Sequence, residues 1–238
     1  MTHFWSTMHI IERIYHELYR AYGPQGWWPL LGYDGVQPTK SGSVAGYHPL
    51  RYDLPETRGQ VFEICVGAIL TQNTNWLNVE QALLRLHAAG GLDAERLCGL
   101  GDAALKEAIR PAGYYNQKAR KLREFADFFL SLESRAPDRE ELLELWGVGR
   151  ETADSMLLYA FHRPVFVVDA YTRRIFGGLG LVDEGADYDT IRLFIEEHLA
   201  ADLPVYQEYH ALLVEHAKRY YRKRANRPVC PLRRLMQG

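Results

Sequence analysis

The chain has 238 residues, 47% hydrophobic and 24% charged, with 28 basic residues against 30 acidic ones and a formal net charge of −2. That length buries a substantial core in one large domain or two small ones, and hydrophobicity this high with so little net charge excludes a largely disordered chain. No apolar run has the length of a bilayer span, and charges interrupt the apolar N-terminus, so neither a membrane span nor a secretory signal is expected; a uniformly basic coat for nucleic acid is excluded as well.

Residues 32–59 are rich in Gly, Pro, Ser and Tyr and predict a long loop, a length at which loops in compact domains tend to be functional. Helices follow in nearly every later segment. Residues 62–70 are densely apolar with small residues mixed in, the pattern of a buried helix. Val79, Leu83, Leu84 and Leu86 recur at helical spacing, then Ala103, Leu105 and Ile109, before Pro111 and Gly113 break the helix. Ala119, Leu122, Phe125, Ala126 and Phe129 give one apolar stripe over residues 116–132. Another helix ends near Leu145, a further one covers 150–161, and two more lie near 190–199 and 205–223. Strand-like alternation is absent, and the β-branched run 165–168 is short. The expected fold class is all-α.

Between the helix ending near Leu145 and the next one stands Trp146-Gly147-Val148-Gly149-Arg150-Glu151. Glycines allow the positive φ that such a turn needs and leave backbone N–H groups uncovered. The next helix starts at once, so its unpaired N–H groups and its dipole face the same way, which suits a backbone phosphate at Gly147, Val148 and Gly149. Ala153 lets the two helices approach closely. An ordinary αα-hairpin is the simpler account of a lone Gly-x-Gly; the flanking pattern favours the phosphate. Eighteen residues beyond Glu151, the run Val165-Phe166-Val167-Val168 delivers Asp169. Asp169 suits a helix N-cap, and a carboxylate held there also suits a developing positive charge.

These elements, with Leu70-Thr71-Gln72-Asn73-Thr74, resemble the endonuclease III superfamily of DNA glycosylases, the helix-hairpin-helix/Gly-Pro-Asp class, over residues 59–235. The resemblance implies two helical domains with a DNA cleft between them: 59–163 carrying the hairpin, and a discontinuous domain of 1–58 with 164–238. Bifunctional members carry a lysine directly after the hairpin whose amine attacks the sugar. Glu151 stands there, and a carboxylate cannot form a Schiff base; Lys118 and Lys218 lie elsewhere in the pattern. The resemblance therefore implies a monofunctional glycosylase in which Asp169 assists loss of the base and water takes C1′, without strand cleavage.

Many relatives close with a four-cysteine cluster loop. Cys65, Cys98 and Cys230 are too scattered for one. With Cys230 as third ligand, the family spacing places Tyr220, Arg227 and Met236 at the other three positions, so no iron–sulfur cluster and no other cofactor is expected. Three separate thiols also suit a reducing bacterial cytoplasm. Nine histidines show no zinc spacing.

Lacking both lysine and cluster, the chain is similar to the bacterial 3-methyladenine glycosylases, with which it shares Trp27-Trp28-Pro29, Trp76 and Tyr114-Tyr115-Asn116-Gln117-Lys118-Ala119. The resemblance implies that Trp28 and Trp76 sandwich the extruded base, for which a cationic alkylated purine is apt. It implies that Gln72 fills the gap left in the duplex, although Gln72 could equally bridge helices, and Glu151 could line the pocket or serve only its own helix. The implied partner is double-stranded DNA with a damaged base, met by a monomer. Rival readings are a glycosylase for another lesion and an inactive DNA-binding scaffold.

Charge then sharpens the opening figure. From Lys218 onward there are eight basic residues and no acidic one, which leaves 20 basic against 30 acidic before it. Arg150, Lys218, Arg222 and Lys223 are the cations expected at phosphates, a solvated tail being the simpler alternative.

Overall fold

The computed structural model describes residues 9–36 and 45–237, with the backbone alone at 224 and 225. Residues 37–44, part of the expected long loop, lie outside the described residues, as do 1–8 and 238. The described chain is all-helical, without a strand. In order the helices are α1 (Ile10–Tyr22), α2 (Arg58–Leu70), α3 (Trp76–Ala88), α4 (Ala94–Gly99), α5 (Asp102–Ile109), α6 (Tyr115–Ser131), α7 (Arg139–Glu144), α8 (Arg150–Tyr159), α9 (Ala170–Leu179), α10 (Tyr188–Glu197) and α11 (Leu203–Tyr220). Two 3-10 segments, Arg224–Val229 and Pro231–Met236, follow. Helices α1 and α4 fall outside the expected set; α9 starts directly after Asp169, the expected N-cap, and the others lie where their periodicity places them.

Two helices organise the packing. Every residue of α2 from Phe62 to Leu70 is buried, which explains why its sequence lacks a polar face. Thr57 and Gln60 close its N-terminus as a reciprocal capping box, and α6 and α8 pack on it. Residues Tyr206 to Ala217 of α11 are likewise buried, between α1 and α9. Ile11, Ile14 and Leu18 are the buried residues of α1.

The segment before α9 is extended but pairs with no strand. Its amides are taken by side chains instead: Phe166 N–H donates to Glu196 Oε1 at 2.8 Å and Val168 N–H to the Tyr188 hydroxyl at 3.2 Å. Helix α10 thus supplies the partners a sheet would have given, and Asp169 emerges from a segment fixed on both sides. A second tie joins α10 to the hairpin: Arg139 makes paired bonds to the wholly buried Asp154 at 2.7 and 3.0 Å and reaches Asp189 at 3.0 Å.

Candidate active site

A cavity of about 610 Å³ opens where the 23–29 bend, the 71–76 turn, the hairpin, the start of α9 and one face of α11 meet. Asp169 lines it as the N-cap of α9, with its Oδ1 accepting the Thr172 N–H at 2.7 Å. Glu151 faces the same space from the first turn of α8. Water reaches its side chain, yet crowding by protein, and then the charge of Asp169, push its carboxyl up to about 7, with Arg173 opposing them. Glu151 thus brings to the cavity a carboxyl whose surroundings favour its protonated form.

Trp27, Trp28 and Trp76 form much of the apolar wall. Trp28 is buried against Gly67, where an added Cβ would come within 3.0 Å of the indole nitrogen. The bend bearing Trp27 and Trp28 is clamped from α11, because buried Glu208 accepts the Gln25 N–H at 2.7 Å and the Gly26 N–H at 3.4 Å. From the other side His48 Nε2 bonds the Trp28 carbonyl at 2.7 Å. The rings of Trp28 and Trp76 meet edge to face, 5.4 Å apart at 81°. A base stacked between two rings needs them parallel, so the sandwich expected from the sequence requires one of these rings to turn.

Gln72 lines the cavity but is tied inward. Its Nε2 donates to the Gly147 carbonyl and the Thr152 hydroxyl, both at 3.0 Å, and its Oε1 accepts from Lys121 Nζ. It joins the 71–76 turn to the hairpin, the bridging role rather than a free plug. Asn73, with φ of 56°, and Asn75 are the exposed residues of that turn.

In the hairpin the two glycines do different things. Gly147 has φ of 79° and lies under Lys121, whose Cε a Cβ would approach to 2.3 Å. Gly149 has an ordinary φ of −95° and open space around it, so its lack of a side chain leaves clearance. Val148 is buried, and its amide closes the turn on the Leu145 carbonyl at 3.1 Å. Among the described residues no backbone acceptor takes the N–H of Gly149, Arg150 or Glu151. These donors are open to an anion, and of the expected Gly147–Gly149 trio the Val148 N–H is the one already taken within the turn. The Arg150 guanidinium pairs with Asp189 at 2.9 Å and remains half exposed.

The basic end is less uniform than its sequence. Arg219 pairs with Glu215 at 2.9 Å, Arg234 with Glu17 at 2.7 Å, and Arg233 donates to the Gly178 carbonyl at 3.0 Å. Arg222 and Lys223 are exposed and make no ion pair among the described residues. Lys218 turns into the cavity, where burial lowers its proton affinity and Glu215 opposes that. Lys118 is buried and donates to the Leu70 and Ala112 carbonyls, both at 2.8 Å; it is structural. Trp27 and His210 line the cavity as well, and Lys121, which carries no sequence signal, stands beside it through its bond to Gln72.

The helical fold places an anion-ready hairpin beside an aromatic, carboxylate-bearing cavity. The family model for the HhH-GPD superfamily base excision DNA repair proteins matches residues 66–200, and the chain belongs to that superfamily. It is 41% identical over 235 residues to a chain of Methanocaldococcus jannaschii provisionally named as a DNA repair glycosylase, covering 94% of each. Among solved structures it is similar to the H. pylori 3-methyladenine DNA glycosylase bound to 1,N6-ethenoadenine, with 28% identity, TM-score 0.59, and 71% of this chain and 92% of that one covered. A trapped endonuclease III–DNA covalent intermediate shares the fold at 18% identity, TM-score 0.70 and 94% coverage of both chains.

Residues at the position of the family's cluster loop do not fit an iron–sulfur cluster. Cys230 is buried, with Sγ 3.1 Å from His216 Nε2, while His216 Nδ1 meets the Tyr22 hydroxyl at 2.9 Å. One thiol in a hydrogen-bonded chain cannot supply four thiolates. Among the described residues no group of three His, Cys, Asp or Glu side chains could hold a metal ion, and no helix is long and apolar enough to cross a membrane.

Proposed function

We propose that the protein is a monofunctional DNA glycosylase that hydrolyses the N-glycosidic bond of alkylated purines, such as 3-methyladenine, after extruding the base from double-stranded DNA. The observation that carries this reading is the meeting of Asp169, Glu151 and three tryptophans in one cavity beside the hairpin. The open amides of Gly149 to Glu151 hold a backbone phosphate, and Arg222 and Lys223 add cationic contacts along the duplex. Unstacking costs a few kcal/mol, least for a damaged base. An alkylated purine is cationic while bound to sugar, and electron-rich indole faces attract it. As the bond to the base lengthens, positive charge grows at C1′, and the fixed Asp169 carboxylate stabilises it. Glu151 holds a proton for bases that leave less readily.

Position 151 offers a carboxylate where a nucleophilic amine would be needed for strand cleavage. Lys218 reaches the same cavity from α11 and is the amine that a covalent adduct would implicate. The test is a panel of duplexes carrying 3-methyladenine, uracil, thymine glycol or 8-oxoguanine, scored for base release and for borohydride trapping. The expected result is release of 3-methyladenine above the others with no trapped adduct. Release of only an oxidised base would remove the substrate assignment, and a strong adduct would remove the monofunctional one.

A further inference from the structure

His210 is a buried titratable group for which the mechanism above has no use. It lines the cavity although it is only 4% exposed. Helix α11 presents His210, Val214 and Lys218 to the cavity, at four-residue steps that align them on one face. Exposure rises along that face, from 4% at His210 and 7% at Val214 to 30% for the Lys218 side chain. Lys218 therefore marks the mouth and His210 the floor, separated by an axial rise of about 12 Å. That depth suits a nucleotide whose sugar stays near the mouth while its base reaches inward.

The hydrogen-bond chain behind His210 fixes which ring nitrogen carries the proton. The Tyr159 hydroxyl lies 3.0 Å from the Gln207 carbonyl and 2.8 Å from His210 Nδ1. A carbonyl only accepts, so Tyr159 spends its one hydrogen there and its oxygen accepts from Nδ1–H. Burial disfavours a second proton on the ring. Nε2 then carries a lone pair. It has no hydrogen-bond donor among the described residues, and it is not one of the atoms sealed from solvent without a partner. Trp27 meets the ring edge to face at 5.6 Å and fixes its plane.

Resting on the glycosylase reading, we propose that His210 reads the extruded base, its Nε2 being a fixed hydrogen-bond acceptor on the cavity floor that selects bases presenting an N–H donor on the edge away from the sugar. An exocyclic amine of an adenine-type base or the ring N–H of an imide-type base satisfies it. A base with that position alkylated leaves the acceptor unpaired and is rejected.

The experiment takes the panel lesion that the protein releases fastest and its analogue with that donor replaced by methyl groups. The wild type is expected to release the analogue about tenfold or more slowly. His210→Phe keeps the ring volume and its contact with Trp27, and is expected to release both at similar rates while binding DNA as the wild type does. Equal rates in the wild type, or a preference unchanged in His210→Phe, would overturn the proposal. Nitrogen-15 spectra of the histidine rings give a readout independent of turnover: an Nδ1–H tautomer with bare Nε2 supports the assignment, and an Nε2–H tautomer overturns it. If no lesion is released by any variant, the glycosylase reading fails, and the tautomer alone decides the role of His210.

Discussion

Alanine at Gly147 and at Gly149 should damage the protein in two separable ways. At Gly147 the backbone is left-handed, with φ of 79°, which costs an L-residue about 1–2 kcal/mol. The new Cβ would also lie 2.3 Å from Lys121 Cε, so the lysine must leave, taking its bond to Gln72 with it. Together these cost about 2–3 kcal/mol, or roughly 4–12 °C in Tm for a chain of this size. At Gly149, φ is −95° and nothing lies within 4 Å of the added methyl; stability should fall by about 1 kcal/mol or less, the ordinary loss at an N-cap. The methyl does stand beside the open amides. Losing one charge-assisted bond to phosphate should weaken DNA binding about ten- to hundredfold. Because no cation is removed, the slope of log affinity against log salt should stay as in the wild type. Thermal melts paired with salt-dependent DNA titrations measure both effects. Gly149→Ala binding within about twofold of wild type would refute the phosphate role of the hairpin.

The two exposed cations make the opposite prediction. The Arg222→Ala, Lys223→Ala double variant should flatten the salt slope by about 1.8, whereas Arg234→Ala should leave it alone because that side chain is paired to Glu17. Glu63 is buried with one N–H donor, from Leu31, and burial pushes its carboxyl from 4.5 to about 7. The folded chain then holds a proton that the unfolded chain releases, so this group favours folding most below pH 4.5 and its contribution is lost as pH rises through about 7. Glu63→Gln should therefore raise stability at pH 9 by about 1–3 kcal/mol and change little at pH 4, as read by denaturant melts. Glu151, raised in the same direction, should give release of neutral bases an alkaline limb near pH 7 that Glu151→Gln abolishes, measured as rate against pH.

What the sequence disclosed follows from the range of the interactions involved. The buried α2, the Gly-Val-Gly turn and the N-cap at Asp169 are set by residues within one or two turns of each other, and their spacing shows them. Side chains that meet across long separations left no such trace. Glu208 clamps the amide of Gln25 from 183 residues away, and Gln72 bonds the Gly147 carbonyl from 75 away. Gln72 in isolation is compatible with a plug or a bridge, and only the positions of Lys121 and Thr152 decide for the bridge. His210 carried no motif, because its orientation depends on Tyr159 and on the carbonyl behind it. The basic end was legible as charge but not as contact, since Glu17 and Glu215 occupy part of it from other places in the chain.

The central claim is that Asp169 stabilises the charge developing at C1′ while the hairpin and basic end hold the duplex. The direct measurement is single-turnover base release by wild type and Asp169→Asn on the same 3-methyladenine duplex, with DNA affinity determined in parallel. Release by Asp169→Asn is expected to slow by about 10²–10³-fold with affinity unchanged. Release at the wild-type rate by Asp169→Asn would contradict the claim.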